Sequence, residues 1–250
     1  MKFFVGLHQP SDAQHFTRCM VSVNRLITRK SDFPVSDWIM DSGAFSQIYR
    51  TGEHLPMEQY ATQVIRWSRC GSMVAAVTQD YMCEPFILAK TGLTVAEHQR
   101  KTVERYVELR NLIPESIYLM PVIQGYTPQE YVDHIKQYGD LLVQGMWVGV
   151  GSVCKRNSNP GQVCDVLYAI KKERPDLRLH GFGLKKTALE CPEVQALLYS
   201  SDSMAWSFAT RKQGKGANDW HNAKTFEEGI ARVLARQRQT TLVEYGECEA

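Results

Sequence analysis

Short apolar runs alternate with longer amphipathic stretches along most of this chain, and no other feature constrains the fold as strongly. The short runs lie at 3–7, 19–23, 38–40, 73–78, 117–123, 147–150, 178–181 and 203–206. Each has the length of a strand, and several are apolar throughout, as expected for parallel strands covered on both faces. The stretches between them carry helical signals. Those at 57–69 and 128–138 begin at or beside a proline, which suits the first turn of a helix. Those at 95–112 and 161–173 stop before Pro114 and Pro175, and further helices are expected at 192–199 and 226–239. Eight strands with intervening helices predict an α/β protein, a TIM-like (β/α)8 barrel, with a doubly wound sheet as the alternative.

Length and composition agree with one barrel. The chain has 250 residues, 44% of them hydrophobic and 22% charged, and shows no repeat at a fixed period and no low-complexity linker. A single domain over 1–250 is therefore expected. No apolar run reaches the roughly 20 residues that cross a bilayer, and the apolar start at 3–7 is too short for a signal peptide, so no membrane partner is expected. The seven cysteines are scattered, without Cys-x-x-Cys or zinc spacing; reduced thiols in a cytoplasm are the simplest account, with no metal.

In a barrel, chemistry gathers at the C-terminal ends of the strands. The third strand runs into Asp41-Ser42-Gly43-Ala44-Phe45, the fourth into Gln79-Asp80 and the fifth into Gln124-Gly125. The sixth gives Gly149-Val150-Gly151-Ser152, the seventh His180-Gly181-Phe182-Gly183, and the eighth is entered through Asp202-Ser203-Met204-Ala205-Trp206. Three aspartates and a glutamine then face one mouth. Paired carboxylates suit chemistry at an anomeric carbon, Asp and Gln together complement a purine edge, and glycines let backbone approach a flat ligand. Taken singly, each element has a plainer use. Asp-Ser-Gly is a common turn, Gly-x-Gly serves any tight strand-to-helix turn, and a histidine beside an apolar run is more often a core residue.

The ordered set resembles the guanine transglycosylase family, enzymes that exchange guanine for a 7-deazaguanine in tRNA. It looks most like the short DpdA-type branch, which acts on DNA. The resemblance spans roughly Asp41 to Arg211. It implies that Asp202 is the nucleophile at C1′ and Asp41 the acid/base group, with their carboxyls about 5–6 Å apart as in retaining glycosidases. It further implies that Asp80 binds the N1–H and 2-amino edge of the base and Gln124 its O6 side. Phe45 and His180 would sandwich the ring, while Ser42, Gly125, Gly181 and the backbone of Gly149, Val150 and Gly151 complete the pocket. The partners implied are DNA, a free 7-deazaguanine such as 7-cyano-7-deazaguanine as co-substrate, and guanine as product; no cofactor is implied.

Two departures bear on the polymer. Ala44 and Ser46 stand where the family usually has Gly and Gln, and Cys248 is the only cysteine after Asp202, where the tRNA enzymes carry a cysteine-rich zinc site. The extra tRNA-binding domains also have no counterpart, which favours another polynucleotide. Between 211 and 238, seven basic residues against three acidic ones leave +4, against +2 for the whole chain. Arg211, Lys212 and Lys215 form a basic loop after the proposed nucleophile, where flanking phosphates would sit, and Arg25 is a further candidate. A target guanine in duplex DNA must leave the stack to reach such a pocket. Alternatives are a tRNA or RNA transglycosylase, a TIM-barrel nucleosidase whose carboxylates activate water, and a non-catalytic nucleic-acid-binding barrel.

Overall fold

The computed structural model describes residues 1–156, 159–214, 216 and 218–246, the side chains of 155 and 237–246 excepted. The strands are β1 Lys2–Leu7, β2 Arg18–Ser22, β3 Asp37–Asp41, β4 Ser72–Val77, β5 Leu119–Met120, β6 Val122–Ile123, β7 Trp147–Val150, β8 Arg178–Gly181 and β9 Ser200–Ser203. The helices are α1 Ala44–Thr51, α2 Met57–Trp67, α3 Pro85–Thr91, α4 Val95–Leu112, α5 Pro128–Tyr138, α6 Pro160–Glu173, α7 Lys186–Leu189, α8 Pro192–Leu197, α9 Ala205–Lys212 and α10 Trp220–Gly246. The strands pair in parallel in the order β5-β4-β3-β2-β1-β9-β8-β7-β6.

The two ends of that order, β5 and β6, are consecutive in the chain and separated only by Pro121. Proline has no N–H to give to a ladder, so the strand is interrupted there. The carbonyls around it still bind both neighbours. Thr78 N–H donates to Met120 O at 3.0 Å, and Gly149 N–H donates to Pro121 O at 2.8 Å. The two pieces are one bent strand, and the ring is a nearly closed TIM-like barrel, as the alternation predicts.

Period-two geometry decides what lies inside. Phe4, Met20, Ile39, Ala75, Val77, Met120, Val122 and Trp147 form an apolar plug in the barrel. The alternate residues, among them Val5, Val21, Trp38, Met40 and Val148, are buried under the surrounding helices. Local signals fix the helix starts. Thr94 with Glu97 and Thr127 with Glu130 make reciprocal capping boxes on α4 and α5. The crossovers from β1 to β2 and from β2 to β3 hold only 3-10 turns, Pro10–His15 and Val23–Arg25. Long α10 covers this side of the barrel, packing on β1, α7 and α9. Among the described residues, no helix is long and apolar enough to cross a membrane.

One strand differs from its expected place. β9 runs Ser200–Ser203, three residues before the run at 203–206, whose Ala205 and Trp206 instead open α9. Serines carry no apolar signal, yet all four β9 residues are buried. Their hydroxyls find partners: Trp147 Nε1–H donates to Ser200 Oγ at 2.8 Å, and Ser201 Oγ donates to Gly181 O at 2.8 Å. Asp202 therefore sits on the strand rather than at its entrance.

Candidate active site

Two residues beyond the plug, the same inward parity turns polar. Asp41 follows Ile39 on β3, Gln124 follows Val122, Ser22 follows Met20, and Asp202 pairs in register with Phe4. These side chains line a cavity of about 800 Å³ at the C-terminal mouth, together with Asp80, Glu84, Phe45, Phe182, Met204, His8 and Arg25.

Asp202 is held by one oxygen. Its Oδ1 accepts from Gly183 N–H at 3.0 Å and from His180 Nε2 at 3.3 Å, while His180 Nδ1 contacts Ser200 Oγ at 2.9 Å. Oδ2 accepts no hydrogen bond among the described residues, and Asp202 lines the cavity. His180 is fully buried between Phe4, Trp147 and Phe182.

Asp41 ends β3. Its Oδ2 accepts from Gly43 N–H at 3.2 Å, and Gly43 takes a left-handed φ of 74° as the N-cap of α1. The Asp-Ser-Gly turn thus serves both uses the sequence allows: it starts a helix and aims a carboxyl. Burial pushes the Asp41 carboxyl up to about 6. Ser22 and the Gly43 amide pull it back, and the charge of Asp202 raises it further. The two carboxyls line the same cavity.

Asp80 follows β4 and is 7% exposed. Burial pushes its carboxyl up to about 7, with Asp41 and Glu84 adding to the rise and the Gln124 hydrogen bond opposing it. Gln124 Nε2–H donates to Asp80 Oδ2, and Gln124 Oε1 lies 2.8 Å from the Ser152 hydroxyl, which also lies 3.0 Å from Glu84 Oε2. Cys83 N–H donates to Ser152 Oγ at 3.1 Å. Ser152 has a φ of 56°, the only positive φ outside glycine among the described residues. These bonds fix the orientation of the Gln124 amide.

Of the sequence-derived site residues, Asp41, Phe45, Asp80, Gln124, Gly151, Asp202 and Arg25 line the cavity. Ser42, Gly125, Gly149, Val150, His180 and Gly181 do not. His180, expected to sandwich the base, is fully buried below the mouth and contacts Asp202, while the Phe182 ring lines the cavity. The space at each glycine is taken by neighbouring side chains or backbone, and Gly151 also lines the cavity. A Cβ at Gly149 would meet the Phe182 ring at 2.3 Å, and one at Gly151 would meet Gln124 at 2.1 Å. Gly125 makes room for the first turn of α5, Gly181 for Leu184. Val150 points outward into the helix-covered core, and Ser42 is buried with its hydroxyl unpartnered.

The cationic candidates divide. Arg25 Nη2–H donates to His8 Nδ1 at 3.0 Å, and His8 Nε2 lies 2.6 Å from the Ser207 hydroxyl. Burial, then Arg25 and Arg211, push the His8 imidazole down to about 4, so the ring is neutral and its proton points to Ser207. Arg211 does not line the cavity; its Nε–H donates to Ser207 O at 3.4 Å, the residue whose hydroxyl meets His8. Lys212 lies 4.9 Å over the exposed Phe208 ring, away from the lining. Lys215, the Arg238 side chain and Cys248 lie outside the described residues. Lys224 is paired with Glu227 at 2.7 Å, so part of the C-terminal positive charge is neutralised internally.

Sequence reasoning placed Phe182 and Ser152 at strand ends without giving them a role, and gave none to Glu84 or His8. Strand parity is the signal for Phe182, which stands two residues after His180. Ser152, Glu84 and His8 carry no such signal; their places depend on the loops that follow the strands.

Parallel strands around an apolar plug, with carboxylates gathered over their C-terminal ends, define an α/β barrel of the TIM class with a cavity in the usual mouth. The profile of the family DpdA, described as DeoxyPurine in DNA protein A, matches residues 1–240, and the chain belongs to that family. Membership implies a transglycosylase with DNA as its substrate. No curated protein matches the chain.

Proposed function

We propose that this protein exchanges guanine in DNA for a free 7-deazaguanine, such as 7-cyano-7-deazaguanine, by double displacement at C1′. The observation that carries the proposal is the shared cavity of Asp41 and Asp202, with one carboxyl held ready and the other raised in pKa. Asp202 Oδ2 attacks C1′ of the target nucleotide. The bond from C1′ to the guanine nitrogen breaks, its electron pair leaves with the base, and Asp41 supplies a proton to the departing guanine. A carboxyl near 6 is well suited to give that proton and then to take one from the incoming base. The deprotonated base attacks C1′ and expels Asp202, so two inversions retain the sugar configuration. Asp80 and Gln124 offer an acceptor and a fixed amide to the base edge, and Phe45 and Phe182 flank it. Arg25 and Arg211 take the adjacent phosphates.

The test is incubation with DNA and with tRNA, side by side, with 7-cyano-7-deazaguanine, followed by nucleoside mass spectrometry. Exchange in DNA supports the proposal. Exchange in tRNA alone moves the assignment to an RNA enzyme, and guanine release without incorporation moves it to a nucleosidase. Asp202→Asn is expected to abolish both exchange and any covalent protein–DNA adduct while DNA binding survives; an adduct persisting in that variant would exclude Asp202 as nucleophile.

A further inference from the structure

Three large aromatic side chains stand together at the edge of the cavity and face solvent. Phe45 is 42% exposed, Tyr49 56% and Phe86 42%. Phe45 and Tyr49 are four apart on α1 and so share a face; their rings are parallel, with centroids 6.0 Å apart. Phe86, on α3, meets both edge-on at 6.1 and 6.4 Å. None of the three belongs to the buried core clusters, although rings of this size are usually buried.

The patch is continuous with the cavity and basic. Phe45 lines the cavity as well as the patch, and Arg50 of α1 lines the cavity. The Lys90 ammonium of α3 lies 5.8 Å from the Tyr49 ring. Neither Arg50 nor Lys90 is paired with a carboxylate among the described residues. Exposed rings interleaved with unneutralised cations are what a single strand requires: rings on which bases stack, and positive charge for the phosphates between them.

We propose that the Phe45–Tyr49–Phe86 patch is a stacking platform for unpaired DNA bases that flank the nucleotide in the cavity. The proposal rests on the reading of the cavity as a site for a nucleotide of DNA. It adds that the enzyme holds an opened strand, not only a single extruded base. A nucleotide reaching the barrel mouth from duplex DNA leaves its neighbours unstacked, and rings beside the mouth replace the lost stacking. Stacking on an aromatic face tolerates any base, so the platform reads openness rather than sequence.

The probe is a labelled oligothymidylate, which contains no guanine and so does not depend on the base pocket. Its binding is followed by fluorescence anisotropy beside a blunt duplex of the same length. Tyr49→Ala and Phe86→Ala replace exposed side chains and leave the barrel core intact. Each is expected to weaken oligothymidylate binding about tenfold and duplex binding much less, while Tyr49→Phe retains the wild-type value. Unchanged oligothymidylate affinity in both alanine variants would overturn the proposal, as would an equal loss on the duplex. So would a change confined to self-association in sedimentation, which would make the patch a contact between copies of the chain. A protein that binds oligothymidylate through these rings but exchanges no base would refute the proposed reaction and leave the platform standing. Exchange that is active but indifferent to both alanine variants would do the reverse.

Discussion

In the proposed reaction, Asp80 is the residue whose charge state most directly bears on the base edge. An acceptor for the N1–H and 2-amino groups of guanine must be ionised, and burial holds the Asp80 carboxyl near 7. Guanine binding is therefore expected to weaken as the pH falls below about 7 and to release a proton near neutrality. Calorimetry in buffers of different ionisation enthalpy checks this; a binding constant flat between pH 5 and 8 would contradict it. The same shift has a stability consequence. The folded-state value lies above that of an unfolded aspartate, so the stability this group allows is fully present below about pH 4 and is lost as the pH rises through about 7. Asp80→Asn is expected to stabilise the protein at pH 8 by about 1–3 kcal/mol and to change little at pH 4, as read from urea unfolding. Asp41 and Asp80 were legible in the sequence because a carboxylate at a strand end is a local fact. The partner that sets the Gln124 amide was not. Ser152 acts through a backbone conformation with positive φ that no serine announces.

Elements were legible where each carried its own signal. Helices α4 and α5 have the predicted limits, because a capping box opens each and Pro114 or Gly139 follows the end. The strand β9 was misplaced because four consecutive buried polar or charged residues form it. Its place is decided by hydrogen bonds to Trp147, His180 and Gly181, all remote in sequence. Gly149 and Gly151 were singled out in the sequence for a ligand's approach, and each also makes room for a neighbouring side chain, Phe182 and Gln124. Gly149→Ala is expected to displace the Phe182 ring, which would meet the new Cβ at 2.3 Å, and so to weaken base binding more than it lowers stability. Guanine affinity measured beside thermal unfolding separates the two. Gly71 is the structural counterpart far from the cavity. At a φ of 54°, with the Val35 carbonyl 2.1 Å from any Cβ, Gly71→Ala is expected to cost about 1–3 kcal/mol in stability and to leave base affinity alone.

At the scale of the whole molecule, a net charge of +2 gives no general attraction to a polyanion. On the proposed reading, DNA binding rests on a few cations: Arg25 and Arg50 in the cavity lining, with Lys90 and Arg211. Neutralising about three or four phosphates on a single strand predicts a slope of log K against log salt of about −2 to −3. A titration between 50 and 300 mM salt checks it, and a slope beyond about −6 would demand a much wider basic surface. The ring order has one more consequence. β9 lies between β8 and β1, so the strand that carries Asp202 is held in place by the strand that begins the chain, with Phe4 opposite Asp202. Asp41 lies two strands beyond β1 on the other side. The two carboxylates therefore become neighbours only when the last strand docks against the first, across almost the whole length of the polypeptide. On the proposed reaction, reactivity toward a glycosidic bond is thereby made conditional on complete folding: a chain that has formed only β1 to β8 holds Asp41 without Asp202.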